Sequence, residues 1–77
     1  MLETIKKILV DTASVDAAKV TKEASLKEDL GIDSLDSVEM VLELENQFDI
    51  QIEDEEVANL VTVGDVMNLI SEKTARV

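Results

Sequence analysis

Residues 33–48 read DSLDSVEMVLELENQF, and this stretch decides the fold. At roughly 100° per residue, Met40, Val41, Leu44 and Phe48 fall within one arc, with the small Ser37 near its middle, which is the apolar stripe of a core-facing helix. Asp36, Glu39 and Glu43 fall on roughly the opposite side at spacings of three and four. They form an acidic stripe with no basic residue beside it. Asp33 and Ser34 stand directly before the apolar period, and both are good helix N-caps. The spacing therefore predicts a helix from about Leu35 to Phe48. Leu35 and Leu42 lie outside the core arc and beside the acids, where a purely solvated face more often carries polar side chains.

The flanking segments are helical too. Leu2, Ile5, Ile8, Leu9 and Thr12 share one helical face, whereas Glu3, Lys6, Lys7 and Asp11 lie elsewhere. Asp54 to Leu60 begins with acids at the positive end of a short helix of about two turns, with Val57 and Leu60 three apart. Thr62 followed by Asp65 resembles a capping box with Asp in place of Glu, and Val63, Val66, Met67 and Ile70 supply the buried stripe of a last helix. From Ala13 to Ile32 no helical period holds. A connection this long is uncommon in a small domain and fits a first helix that crosses over before the second begins; a short helix near Ser25 to Asp29 is the alternative. The Ile50-Gln51-Ile52 alternation is the one strand signal. The fold expected is all-α, with a long first loop and a short third helix.

Length and composition narrow the function. The 77 residues give room for one domain, 1–77, with no repeat, no Pro and only Gly31 and Gly64 to suggest a linker. With no Cys and no His, disulfides and thiolate or imidazole metal ligands are excluded, so the core must hold by apolar packing. The absence of Cys fits a reducing, cytoplasmic setting. No secretory or transmembrane signal is read at the N-terminus, so a soluble chain without membrane insertion is expected.

Eighteen acidic residues against seven basic ones give a net charge of -11, which repels nucleic acid and attracts basic protein surfaces. The asymmetry is local: from Asp33 to Glu56 there are ten acids and no Lys or Arg, while residues 1–32 mix five Lys with six acids. Such a face is either ordinary solvated surface or an electrostatically steered docking surface. The lack of His, Cys and Tyr removes the usual bases, nucleophiles and phenolic donors, so no enzymatic activity is expected. The acids from Asp49 to Glu56 do not match a calcium loop, because the sixth position counted from Asp49 is Asp54 and not Gly; no dedicated metal site is expected.

Ser34 has an ordinary explanation as a cap. The run Asp29 to Glu39, DLGIDSLDSVE, nevertheless resembles the phosphopantetheine attachment motif of the acyl carrier protein family. The likeness continues through VLELENQFDIQIEDEEVANLVTVGDVMNLI and covers essentially the whole chain. It implies a four-helix bundle with covalent 4'-phosphopantetheine on Ser34, carrying acyl intermediates as thioesters, in type II fatty acid biosynthesis before other pathways. By the same resemblance a phosphopantetheinyl transferase and acyl-processing enzymes with basic docking surfaces are the partners, and the chain is a monomer. The partner-facing residues map to Leu35, Asp36, Glu39, Leu42, Glu43 and Glu45. The acyl chain's surroundings map to Met40, Val41, Leu44, Phe48, Ile52, Val57, Leu60 and Val66. The chain departs from the commonest pattern at Ser37 (often Thr), Leu26 (often Phe), Glu53 (often Pro), Glu43 (often small and apolar) and Ala13 (often Gly), and none of these is Ser34. The competing reading is an acidic protein–protein interaction module that uses the same stripe without covalent modification.

Overall fold

A computed structural model describes residues 1–75. Four α-helices follow in order: α1 (Leu2–Ala13), α2 (Ser34–Phe48), α3 (Asp54–Ala58) and α4 (Val63–Thr74). Among the described residues there is no strand, and the single isolated bridge pairs Ser25 with Thr62 in antiparallel sense. No helix among them is long and apolar enough to cross a membrane.

The apolar stripes meet as their periodicity requires. Ile5, Ile8 and Leu9 of α1, Met40, Val41 and Leu44 of α2, and Val63, Val66 and Ile70 of α4 are buried in one cluster, with Phe48, Val57, Leu60 and Met67 packed against it. α1 touches both α2 and α4. Thr12 is half-buried, and its hydroxyl donates to the Ile8 carbonyl at 2.8 Å, which lets a polar residue sit on the inner face of α1.

The long connection from α1 to α2 is ordered by backbone bonds more than by helix. Its one helical piece is a 3₁₀ turn at Ala17–Lys19, capped by the Asp16 carboxylate; the stretch from Ser25 to Asp29 is turn and not helix. Val20, Ala24, Leu26 and Ile32 plug into the core. The Leu26 N–H donates to the Val61 carbonyl (2.9 Å), Val63 N–H to Ala24 carbonyl (3.0 Å) and Gly64 N–H to Lys22 carbonyl (2.8 Å), which straps this loop to the start of α4. Gly64 permits this close approach: a Cβ would lie 3.0 Å from the Lys22 carbonyl oxygen, and the loop would have to give by a few tenths of an ångström.

α3 is shorter than the spacing suggested. It ends at Ala58, and the Asn59 and Leu60 N–H groups turn back onto the Glu56 and Val57 carbonyls. α4 starts as its sequence dictates, with the Asp65 N–H donating to the Thr62 hydroxyl (3.1 Å) and the Thr62 N–H to the Asp65 carboxylate (3.0 Å). The Val61 N–H reaches the same carboxylate at 3.0 Å. These donors, Thr62 first and then Val61, hold the Asp65 carboxyl below the usual range against a smaller opposing effect of burial.

Candidate functional site

Ser34 is exposed at the first position of α2, and Asp33 is the residue that caps the helix. The Asp33 carboxylate accepts from the Asp36 N–H at 2.9 Å. The Ser34 hydroxyl makes no hydrogen bond with another described residue. Of the two residues that could cap, the acid does so and leaves the serine's oxygen free at the end of a 15-residue helix, where the first N–H groups favour negative charge.

The approach to Ser34 is fixed residue by residue. Ser25 ties the turn before it: its N–H donates to the Asp29 carboxylate (2.7 Å), its hydroxyl accepts from the Glu28 N–H (3.1 Å), and its carbonyl accepts from Asp29 and Leu30. Gly31 then takes a left-handed conformation (φ 67°) with open space where a Cβ would sit, so glycine is needed for the backbone and not for room. Ile32 is buried and donates to the Leu26 carbonyl at 2.9 Å. Ser34 is thereby set between a pinned loop and a capped helix.

Beside it lies a groove of about 380 Å³ lined by residues of that loop, of α2 and of the segment from α3 to α4. Met40, Val57 and Leu60 are among its walls, together with Leu26, Ile32, Ser37 and Val61. Val41, Leu44, Ile52 and Val66 are instead buried in the core behind it, and Phe48 is half-buried at the far end of α2. The helical period puts Ser37 on the core face, yet it is half-buried and borders the groove, so it is not sealed from solvent. A second, polar cleft of about 610 Å³ runs between α1 and α2, with Glu43 and Gln47 on its α2 side.

The outer face of α2 carries Leu35 (68% exposed) and Leu42 (55%) beside exposed Glu39 and Glu43 and half-buried Asp36. Glu45 is set apart from these. Its carboxylate accepts from the Ile52 N–H at 2.8 Å and its carbonyl from Asp49 and Ile50, so it anchors the α2–α3 loop. On the helical wheel it lies only about 40° beyond Val41, at the edge of the core. Glu56 is likewise engaged, by Lys73 at 2.9 Å and by the Glu53 N–H at 2.9 Å. Among the described residues no group of three carboxylates could hold a metal ion.

Two exposed valines carry no mark in the sequence reading. Val38 (55% exposed) continues the row Leu35, Leu42 at helical spacing, and Val61 (59%) lines the same groove as Ser34. Val38 lies on the same side of the wheel as those leucines and could have been found; nothing in the sequence marks Val61.

A family model described as a phosphopantetheine attachment site matches residues 3–70. The acyl carrier protein of Caulobacter vibrioides strain NA1000 / CB15N is 47% identical over 75 residues, covering 97% of this chain and 96% of that protein, and the same figures hold for strain ATCC 19089 / CIP 103742 / CB 15. Among solved structures, an acyl carrier protein from Thermotoga maritima superposes with a TM-score of 0.85 at 30% identity, covering 96% of this chain and 86% of that one.

Proposed function

Because the chain belongs to the acyl carrier protein family and so carries acyl groups on covalent 4'-phosphopantetheine, we propose that Ser34 is the residue to which the arm is joined. The observation that carries this is the free Ser34 hydroxyl, exposed at the positive end of α2 beside an open groove. The residues fit the group: the groove walls are mainly apolar, and the helix N-terminus suits one added phosphodiester charge. The arm supplies the thiol that the chain, having no Cys, lacks for thioester chemistry.

The chain is a carrier and not an enzyme. Ser34 Oγ forms the new O–P bond as the diphosphate of coenzyme A is broken and adenosine bisphosphate leaves. The hydroxyl proton passes to a base on the transferase, since no His exists here to take it. Leu35, Val38 and Leu42, with Asp36, Glu39 and Glu43 around them, form the face offered to basic acyl-processing enzymes, the charges steering encounter and the leucines holding the docked state. Met40, Val57 and Leu60 receive the first part of the cargo, and Val41, Leu44, Phe48, Ile52 and Val66 enclose longer chains if the helices part. We assign the carrier to type II fatty acid biosynthesis in the cytoplasm, acting as a monomer.

The test is incubation with coenzyme A and a broad-specificity phosphopantetheinyl transferase, followed by fragment mass analysis. One arm is expected on Ser34 and none on Ser14, Ser25, Ser37 or Ser71, and Ser34→Ala is expected to accept none. Unmodified wild type, alongside a control carrier that is modified, would favour the acidic interaction module instead.

A further inference from the structure

Resting on Ser34 as the attachment residue, we propose that Lys27 is the counter-ion of the phosphodiester formed there and draws the start of the arm over the groove toward Val61. Among the described residues, Lys27 is the one cation that lines the groove holding Ser34. It forms no salt bridge with any described residue, unlike Lys6 and Lys73. Both of its neighbours are fixed: Leu26 donates to the Val61 carbonyl (2.9 Å) and accepts from Ile32 (2.9 Å), and the Glu28 N–H donates to the Ser25 hydroxyl (3.1 Å). The lysine is therefore displayed from a rigid turn, at a fixed place relative to the start of α2.

The surrounding charge favours a counter-ion. A phosphodiester on Ser34 adds a negative charge between Asp33 and Asp36, in a chain with no cation from Asp33 to Glu56. The helix N-terminus offsets part of that repulsion. Asp29 and Asp33 each accept a backbone N–H, from Ser25 and Asp36 respectively, and neither forms a salt bridge with Lys27. Lys27 is thus unpaired on the groove where the phosphate would arrive. The other lysines of the loop are not on this groove: Lys19 borders a separate concavity with Glu23 and Glu28, and Lys22 sits where its carbonyl meets Gly64.

The experiment compares apo and modified protein for wild type, Lys27→Gln, Lys27→Arg and the control Lys19→Gln, by amide proton–nitrogen spectra at low salt. The change on modification at the Lys27 and Val61 amides reports the arm lying over the groove; a merely structural lysine would shift apo and modified spectra alike. Lys27→Gln is expected to lower the docked-to-free ratio roughly two- to fivefold, the scale of an exposed ion pair, with Lys27→Arg restoring it and Lys19→Gln leaving it unchanged. Modification at Ser34 with Lys27→Gln indistinguishable from wild type overturns this inference alone. An arm found on any other residue overturns the attachment assignment and this inference with it.

Discussion

Removing the Asp33 carboxylate and removing the Ser34 hydroxyl should have unequal consequences for the fold, although the two residues are adjacent and both are favoured caps. Asp33 accepts the Asp36 N–H at 2.9 Å, so Asp33→Ala leaves a first-turn donor without its partner. Loss of such a cap costs about 0.5–2 kcal/mol. Its charge at the helix N-terminus contributes about a further 0.3–1 kcal/mol, part of which is returned by relief of repulsion with Asp36. A net loss of about 1–2 kcal/mol corresponds to a fall in Tm of roughly 4–16 °C for a domain of this size. Asp33→Asn keeps an acceptor and should lose about 1 kcal/mol or less. The Ser34 hydroxyl makes no hydrogen bond with another described residue, and Ala is the better helix former, so Ser34→Ala should stay within about 0.5 kcal/mol of wild type. Urea and thermal unfolding of the apo proteins, followed by far-ultraviolet circular dichroism, measure all three. Equal losses in Ser34→Ala and Asp33→Ala would refute the capping assignment.

Gly64→Ala should destabilise by about 1–3 kcal/mol in urea titration even though Ala is preferred in helices, because the new Cβ meets the Lys22 backbone 3.0 Å away; an increase in stability would show that the loop yields freely. Asp65 has its folded-state pKa lowered, so its contribution is complete above the unfolded value near 3.8 and is lost as pH falls through the lower folded value. Stability measured from pH 5 downward should therefore fall less steeply in Asp65→Asn than in wild type, and parallel curves would contradict this. Glu39→Lys should slow association with a basic partner enzyme several-fold at low salt and weaken its salt dependence, whereas Leu35→Ala and Leu42→Ala should mainly speed dissociation; stopped-flow binding separates the two effects.

The parts of the molecule that follow from period and capping were legible in the sequence. Ile5, Ile8 and Leu9, then Met40, Val41 and Leu44, then Val63, Val66 and Ile70 could be placed inside because a helix repeats every 3.6 residues. The Thr62–Asp65 box could be read because both partners are local. What depends on distant backbone could not. The strap from Lys22, Ala24 and Leu26 to Gly64, Val63 and Val61 joins main-chain atoms about forty residues apart and leaves no mark in side-chain pattern. The 3₁₀ turn at Ala17–Lys19 buries none of its residues, so no apolar period announces it. Asp33 and Ser34 are equivalent as caps by composition, and only geometry chooses the acid. The family resemblance groups Glu45 with the docking acids, whereas the fold draws its carboxylate to the Ile52 N–H seven residues on. The groove beside Ser34 arises from the same strap, which is why Lys27 and Val61 carried no functional signal in one dimension.

Top-down mass spectrometry of the protein purified from its native source bears most directly on the claim that Ser34 carries acyl groups through a phosphopantetheine arm. The account predicts one phosphopantetheine increment, localised by fragmentation to Ser34, with a further population bearing acyl chains that differ by two-carbon steps. Protein at its unmodified mass under conditions of active lipid synthesis, or an arm on any other residue, would contradict it.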